Sequence, residues 1–191
     1  MPRISAATNA AQRENTKRAI LESFGKLLYS RGLPGLTMTD VAKNAGIGRT
    51  AVYNYFADMG ELLVAYALDE TERFLHELDE GLAGVTNPID QLAVYIRLQI
   101  EDLARRHLPP GPAMRSMLSP ESYARLGKHV SELQMVLANI LSDAITEKYI
   151  PENDIRELAM LVHGSLSSSA GRAEDAPDAQ TRERQIQSTI K

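Results

Sequence analysis

The chain of 191 residues contains no cysteine, no tryptophan and only three phenylalanines. Without cysteine there can be no disulfide and no thiolate-bound metal, a composition that suits a reducing compartment. No stretch of about eighteen apolar residues offers a membrane-spanning helix. The N-terminal run MPRISAATNAAQREN lacks the apolar centre of a signal peptide. A soluble, cytoplasmic protein with no membrane partner is therefore expected. Signatures of catalysis are missing too: there is no HExxH, no glycine-rich phosphate loop and no nucleophile elbow. Ser23 and Lys26 have Ser-x-x-Lys spacing, but so short a pattern arises often by chance. His76 and Glu80 share a helix face, yet two ligands do not make a metal site. The expectation is no enzyme, no metal and no cofactor.

What is present is helical periodicity. Hydrophobic residues make up 43% of the chain, enough for an ordinary core. They fall at spacings of three and four between short Gly/Pro breaks, and no convincing alternation of period two occurs. A first helix is expected over 11 to 31, with Ile20, Phe24, Leu27 and Leu28 as its stripe and Gly32, Pro34 and Gly35 ending it. After residue 56, Ala57-Asp58 caps a long helix, and Asn87-Pro88 restarts the chain. A short turn lies around 113 to 117, and Ser119-Pro120 is an N-cap with proline at the first helical position. The helix after it places Leu126, Val130, Leu133, Leu137, Ile140 and Ala144 four and three apart on an inward face, as at the centre of a bundle. Another helix runs from about 152 to 170 and carries a small face of Gly164, Ser165, Ser168 and Ser169. Residues 171 to 178 read as a hinge before a weak last segment with Ile186 and Ile190. The fold class is all-α.

The net charge of -4 is unevenly spread. Residues 1 to 56 hold eight basic and three acidic side chains, a net +5, which leaves -9 for the remainder. A basic head on an acidic body is an electrostatic footprint for phosphate. The same head contains residues 37 to 56, TMTDVAKNAGIGRTAVYNYF, where two short helical patterns meet at a glycine. Thr37 and Asp40 have capping-box spacing and open a helix through Val41, Ala42 and Ala45. Gly46 stops it, Ile47 plugs the corner and Gly48 loosens the backbone. A second helix from about Arg49 turns Ala51, Val52 and Phe56 inward and leaves Thr50, Tyr53 and Asn54 outside. That is how a helix-turn-helix presents side chains to a DNA groove.

A basic first helix, Thr-x-x-Asp-Val-Ala in the second, Ala-Gly-Ile at the turn and Val-Tyr-Asn-Tyr-Phe closing the third resemble the TetR family of bacterial transcriptional regulators. The specific part covers about residues 13 to 66; the body is similar in length and helical layout. The resemblance implies an N-terminal DNA-binding domain (1–56) and a helical ligand-binding and dimerisation domain (57–191). It implies a sequence-specific repressor that binds a palindromic double-stranded DNA operator as a homodimer and is released by a small-molecule effector. Paired recognition helices about 34 Å apart match one turn of B-DNA, and two-fold protein symmetry calls for an approximately palindromic site.

Carried over residue by residue, the resemblance makes Thr37 a phosphate contact or simply a helix cap, and places Thr39 at a base or the backbone. It makes Arg49 a reader of guanine through N7 and O6, or else a phosphate contact. Thr50 and Asn54 are candidates for base edges, Gly48 is counted with the DNA-binding residues, and Tyr53 and Tyr55 donate hydroxyls to phosphate, one of them alternatively packing on the first helix. Relatives often follow Tyr-x-Tyr-Phe with serine or asparagine, then a phosphate-holding lysine and glutamate; here the run is Ala57, Asp58, Met59, Gly60. The missing lysine shifts backbone contacts to Arg13, Lys17 and Arg18, while the start of the chain with Arg3 reaches the minor groove or else is simply a disordered tail. It also keeps open an alternative, an all-helical protein-interaction module without DNA binding. In the body, Tyr66, Phe74, Tyr95, Gln99, Met114, Met117, Tyr123, His129 and His163 are the ligand-pocket candidates, with plain core as the alternative for each.

Overall fold

The computed structural model describes residues 6–105, 108 and 111–190, and every regular element among them is a helix. In chain order they are α1 (Ala6–Arg31), α2 (Met38–Asn44), α3 (Arg49–Tyr53), α4 (Met59–Leu82), α5 (Pro88–Arg105), α6 (Gly111–Met117), α7 (Pro120–Thr146), α8 (Ile155–Glu174) and α9 (Ala179–Ile190). The all-α expectation holds. Among the described residues, none of these helices is long and apolar enough to cross a membrane. Two compact units result: described residues within Met1–Asp69 and His107–Leu126 form one, and those within Glu70–Arg106 and Gly127–Lys191 form the other.

The first unit closes around the stripe of α1. Ile20, Phe24, Leu27 and Leu28 are buried with Val41 and Ala42 of α2, Val52 of α3, and Leu62, Leu63 and Tyr66 of α4. Met114 and Leu118, with Leu126 of α7, enter the same core. Phe24 and Tyr66 meet edge to face with centroids 5.4 Å apart, the geometry that aromatic quadrupoles favour. Gly25 is what lets that ring in, since a Cβ there would lie 2.9 Å from Tyr66 Cε2. α1 starts at Ala6, five residues before the expected position. Nothing between Ala6 and Ala10 breaks a helix, and the exposed turn from Asn9 to Asn15 is carried by alanine, glutamine and arginine, which favour it.

The second unit buries Phe74, Tyr95, Ile100, Leu137, Leu166 and Ile186 in one cluster. Asn87 Oδ1 caps α5 by accepting from Ile89 N at 2.8 Å, and Pro88 occupies the first helical position, where its missing N–H is not needed. Two sequence expectations change here. α8 continues through Glu174, beyond the expected hinge at 171; Arg172, Ala173 and Glu174 are good helix formers, and the break falls at Asp175–Asp178 around Pro177. Val130, expected inward, is 41% exposed on α7, as Met135, Met160 and Leu161 are on α7 and α8. The weak last segment is a docked helix: Ile186 is buried, and Arg97 donates to both carboxylate oxygens of Glu183 at 2.8 and 2.7 Å.

Candidate nucleic-acid interface

Local chemistry explains the helix-turn-helix. Asp40 N donates to Thr37 Oγ1 at 3.2 Å and Thr37 N to Asp40 Oδ2 at 3.0 Å, a complete capping box. The Thr37 hydroxyl also donates to the Asp40 carboxylate. That bond, first among the causes, holds the Asp40 carboxyl below its usual range. At the other end of α2, Ile47 N reaches Ala42 O at 3.0 Å and Gly46 N reaches Lys43 O at 3.3 Å, the two bonds of a Schellman stop. Gly46 has φ 69°, a left-handed conformation glycine adopts without steric cost. Gly48 differs. Its φ of -69° suits any residue, and a Cβ there would meet nothing within 4 Å, so nothing within the chain calls for a glycine.

Ser23 explains how α2 is held. It is 3% exposed, and its hydroxyl lies 3.1 Å from Val41 O and 2.9 Å from Asn44 Oδ1. The Ser-x-x-Lys pair is thereby accounted for: Ser23 ties α1 to the end of α2, while Lys26 is exposed. The role was not read from the sequence, although a lone hydroxyl inside an apolar stripe was a signal for it.

α3, which ends at Tyr53, and the residues just after it divide cleanly into two faces. Val52 is fully buried and Phe56 nearly so, whereas Arg49, Thr50, Tyr53 and Asn54 are exposed. Thr37, Thr39 and Gly48 are exposed as well, and Lys17 and Tyr55 are half-buried. The Arg49 guanidinium carbon lies 5.5 Å from the centroid of the Tyr53 ring, and Arg49 Nη2 is 3.5 Å from the Tyr53 hydroxyl. Arg13 of α1 stands over Tyr55 at the same 5.5 Å. Met59, in place of the lysine, packs against the first unit's core. Arg3, the minor-groove candidate, lies outside the described residues.

The ligand-pocket candidates fall in both units. Tyr66 and Met114 are buried in the first, Met117 is 49% exposed, and Tyr123 has Arg115 over its ring at 5.6 Å. In the second, Phe74 and Tyr95 are fully buried and Gln99 nearly so. The Tyr95 hydroxyl is 3.4 Å from His163 Nε2, and His163 Nδ1 is 2.8 Å from Ala159 O. The carbonyl can only accept, so it selects the tautomer with hydrogen on Nδ1 and leaves Nε2 to accept from the phenol. Burial pushes the Tyr95 phenol up, so it stays a neutral donor. Gln99 Oε1 is buried with no hydrogen-bond partner among the described residues. His163 also lines a groove of about 390 Å³ with Gln134, Ala138, Ile155, Arg156, Ala159 and Met160. The side chain of His129 lies outside the described residues. His76 Nδ1 sits 3.7 Å from Glu80 Oε1 on the surface, and no group of three or more metal-ligating side chains occurs among the described residues.

Fold and site define a class of protein, a helix-turn-helix head followed by a helical body. Residues 20–66 match the model of the bacterial regulatory proteins of the tetR family, so the head of this chain is similar to that family's DNA-binding region. An uncharacterized HTH-type transcriptional regulator of Haemophilus influenzae is 35% identical over 74 residues, which cover 38% of this chain and 36% of that protein. The chain thus spans little more than a third of the length of this curated relative. Among solved structures, the transcriptional regulator FadR from Bacillus subtilis in complex with stearoyl-CoA superposes with a TM-score of 0.73 at 17% identity, over 91% of this chain and 97% of that one. AibR in complex with isovaleryl coenzyme A and operator DNA gives 0.76 at 19% identity, over 92% and 96%. At such identities the likeness is one of fold.

Proposed function

We propose that the protein is a sequence-specific transcriptional regulator, a repressor that binds a palindromic operator as a homodimer and leaves it when a small molecule occupies the body. The observation that carries this reading is the two-faced recognition segment: Val52 of α3 anchors it while Arg49, Thr50 and Asn54 are exposed on the outside. Arg49 suits bidentate contact with guanine and Asn54 with adenine, while Thr39 and Thr50 suit base edges or nearby phosphates. Lys17 and the exposed hydroxyl of Thr37 suit the DNA backbone. Gly48, which no neighbour requires, leaves room for the backbone to approach closely. The functional division follows: residues 1–56 hold the DNA contacts, and 57–191 serve effector binding and assembly.

In the body, Tyr95, Gln99 and His163 supply polar groups in an apolar setting, as an effector site requires. Coenzyme A thioesters are the first compounds to try, because AibR and FadR are solved with them. The exposed apolar residues Val130, Met135, Met160 and Leu161, beside the small Gly164 and Ser165, are the proposed two-fold interface. The test is selection of a duplex from random DNA by the full chain, followed by affinity against salt. A palindromic site whose affinity falls steeply with salt, and is lost in Arg49→Ala with folding intact, is the expected result. Met59 favours a second reading, a protein-interaction module without DNA binding, since the phosphate-holding lysine is replaced by a packed methionine. Selection that enriches no duplex would favour that reading.

A further inference from the structure

Two tyrosines at the end of the recognition segment each carry an arginine on the ring. The partners come from different places: Arg49 lies one turn before Tyr53 in α3, whereas Arg13 belongs to α1, far in sequence from Tyr55. Tyr53 is 41% exposed and Arg49 is exposed, so no crowding forces them together. Tyr55 is half-buried against the unit's core with its ring tilted 37° to Phe56, which makes it a fixed plate under Arg13. The Arg49 to Tyr53 hydroxyl distance of 3.5 Å is long, so the ring face, more than the hydroxyl, restrains the guanidinium.

We infer that Tyr53 and Tyr55 are positioning residues, which act on DNA by presenting Arg49 and Arg13 rather than by donating their own hydroxyls to phosphate. The inference rests on the DNA-binding reading above and deepens it. A free arginine loses much rotamer freedom on forming a bidentate contact, and a guanidinium already stacked on a ring loses less. Tyr53 thereby contributes to discrimination at the base pair that Arg49 reads. Tyr55 fixes where the first helix meets the backbone.

The two roles respond oppositely to loss of the hydroxyl. Using the full chain and a duplex selected by the wild type, operator affinity is measured for Tyr53→Phe, Tyr53→Leu, Arg49→Ala and the double variant Arg49→Ala/Tyr53→Leu. A companion duplex carries a substitution at the base pair whose contribution vanishes in Arg49→Ala. Tyr53→Phe keeps the ring and stays within about twofold of wild type, while Tyr53→Leu weakens binding by about three- to fivefold, the range of an exposed cation–π contact. That loss falls on discrimination at the Arg49 base pair, and in the double variant Tyr53→Leu adds nothing to Arg49→Ala. The same cycle with Tyr55→Phe, Tyr55→Leu and Arg13→Ala reads the second pair, with thermal midpoints separating misfolding from lost binding. Phenylalanine variants as weak as the leucine variants, or additive losses in the double variants, overturn the inference and leave the DNA-binding reading standing. A wild type that selects no duplex overturns both.

Discussion

Ser23 in the helix-turn-helix unit and Gln99 in the body are both buried polar side chains, 3% and 5% exposed, yet their surroundings differ. The Ser23 hydroxyl has two oxygen neighbours within 3.1 Å, at the end of the helix it holds in place. Gln99 Oε1 has no partner among the described residues, and one turn away Tyr95 reaches His163 only at 3.4 Å. In the first unit the buried Ser23 is satisfied internally, and Arg49, Thr50 and Asn54 turn their donors toward solvent. The body keeps unsatisfied polarity inside. An unpaired buried acceptor costs about 1–3 kcal/mol unless a donor reaches it. On the proposed reading, that donor comes with the effector.

The sharpest break in this comparison comes from the first unit's core. Phe24→Ala removes a fully buried ring from the contact with Tyr66 and is expected to cost about 3–5 kcal/mol in urea unfolding, taking operator binding with it. A cost below about 1 kcal/mol would mean that this core collapses around the gap. In the body the sign reverses. Gln99→Leu replaces the unpaired amide with an apolar side chain and should raise stability by about 1–2 kcal/mol while abolishing release by the effector. If that variant is destabilised, Gln99 has a structural partner and the contrast between the units fails.

Helix caps make the next, smaller test because both units have one. Thr37→Ala removes the hydroxyl of the capping box, and Asn87→Ala removes the oxygen that accepts from Ile89 N, so each should cost about 1 kcal/mol. Only Thr37→Ala should also weaken operator binding, because α2 seats α3. Equal effects on DNA binding would show that the body's caps matter to the head as much as its own.

How far the sequence could be read follows from where each determinant lies. The turn at Gly46, the capping box and the two faces of α3 are built by residues within a few positions of one another, and each was legible. The cap at the start of α4 was legible for the same reason: Glu61 N donates to Asp58 Oδ1 at 2.8 Å. What escaped depends on distant partners. Nothing local ties Met114, Leu118 and Leu126 to the stripe of α1, or Arg13 to Tyr55. Val130 fits the apolar spacing of α7 and still faces out, because periodicity marks a face and not what covers it. Residues 171 to 178 read as a hinge, but α8 runs through Gly171 to Glu174, since glycine inside a helix carries a modest cost that good neighbours absorb, and the break falls around Pro177.

The smallest expected effect concerns the last helix, whose sequence gave only two isoleucines to hold it. Arg97 of α5 grips Glu183 of α9 with both ends of its fork, and Gln187 Nε2 adds a bond to Glu183 Oε1 at 3.0 Å. The Arg97 bonds, then Gln187, hold the Glu183 carboxyl down at about 2, from an ordinary value of 4.5. A carboxyl depressed on folding stabilises the fold above its unfolded pKa and loses that contribution as pH falls through its folded one. Docking of α9 should therefore be constant above about pH 5 and weaken between there and pH 2, within the carboxylate range. Hydrogen exchange of the α9 amides should accelerate over that interval relative to α5, with Ile186 limiting the release. Arg97→Gln should remove the extra pH dependence while α1 to α3 remain unaffected, since Arg97, Glu183 and Gln187 all belong to the second unit. An α9 that exchanges identically at pH 5 and pH 2.5 would mean the isoleucines hold it alone, and that this exposed pair is as weak as most surface ion pairs.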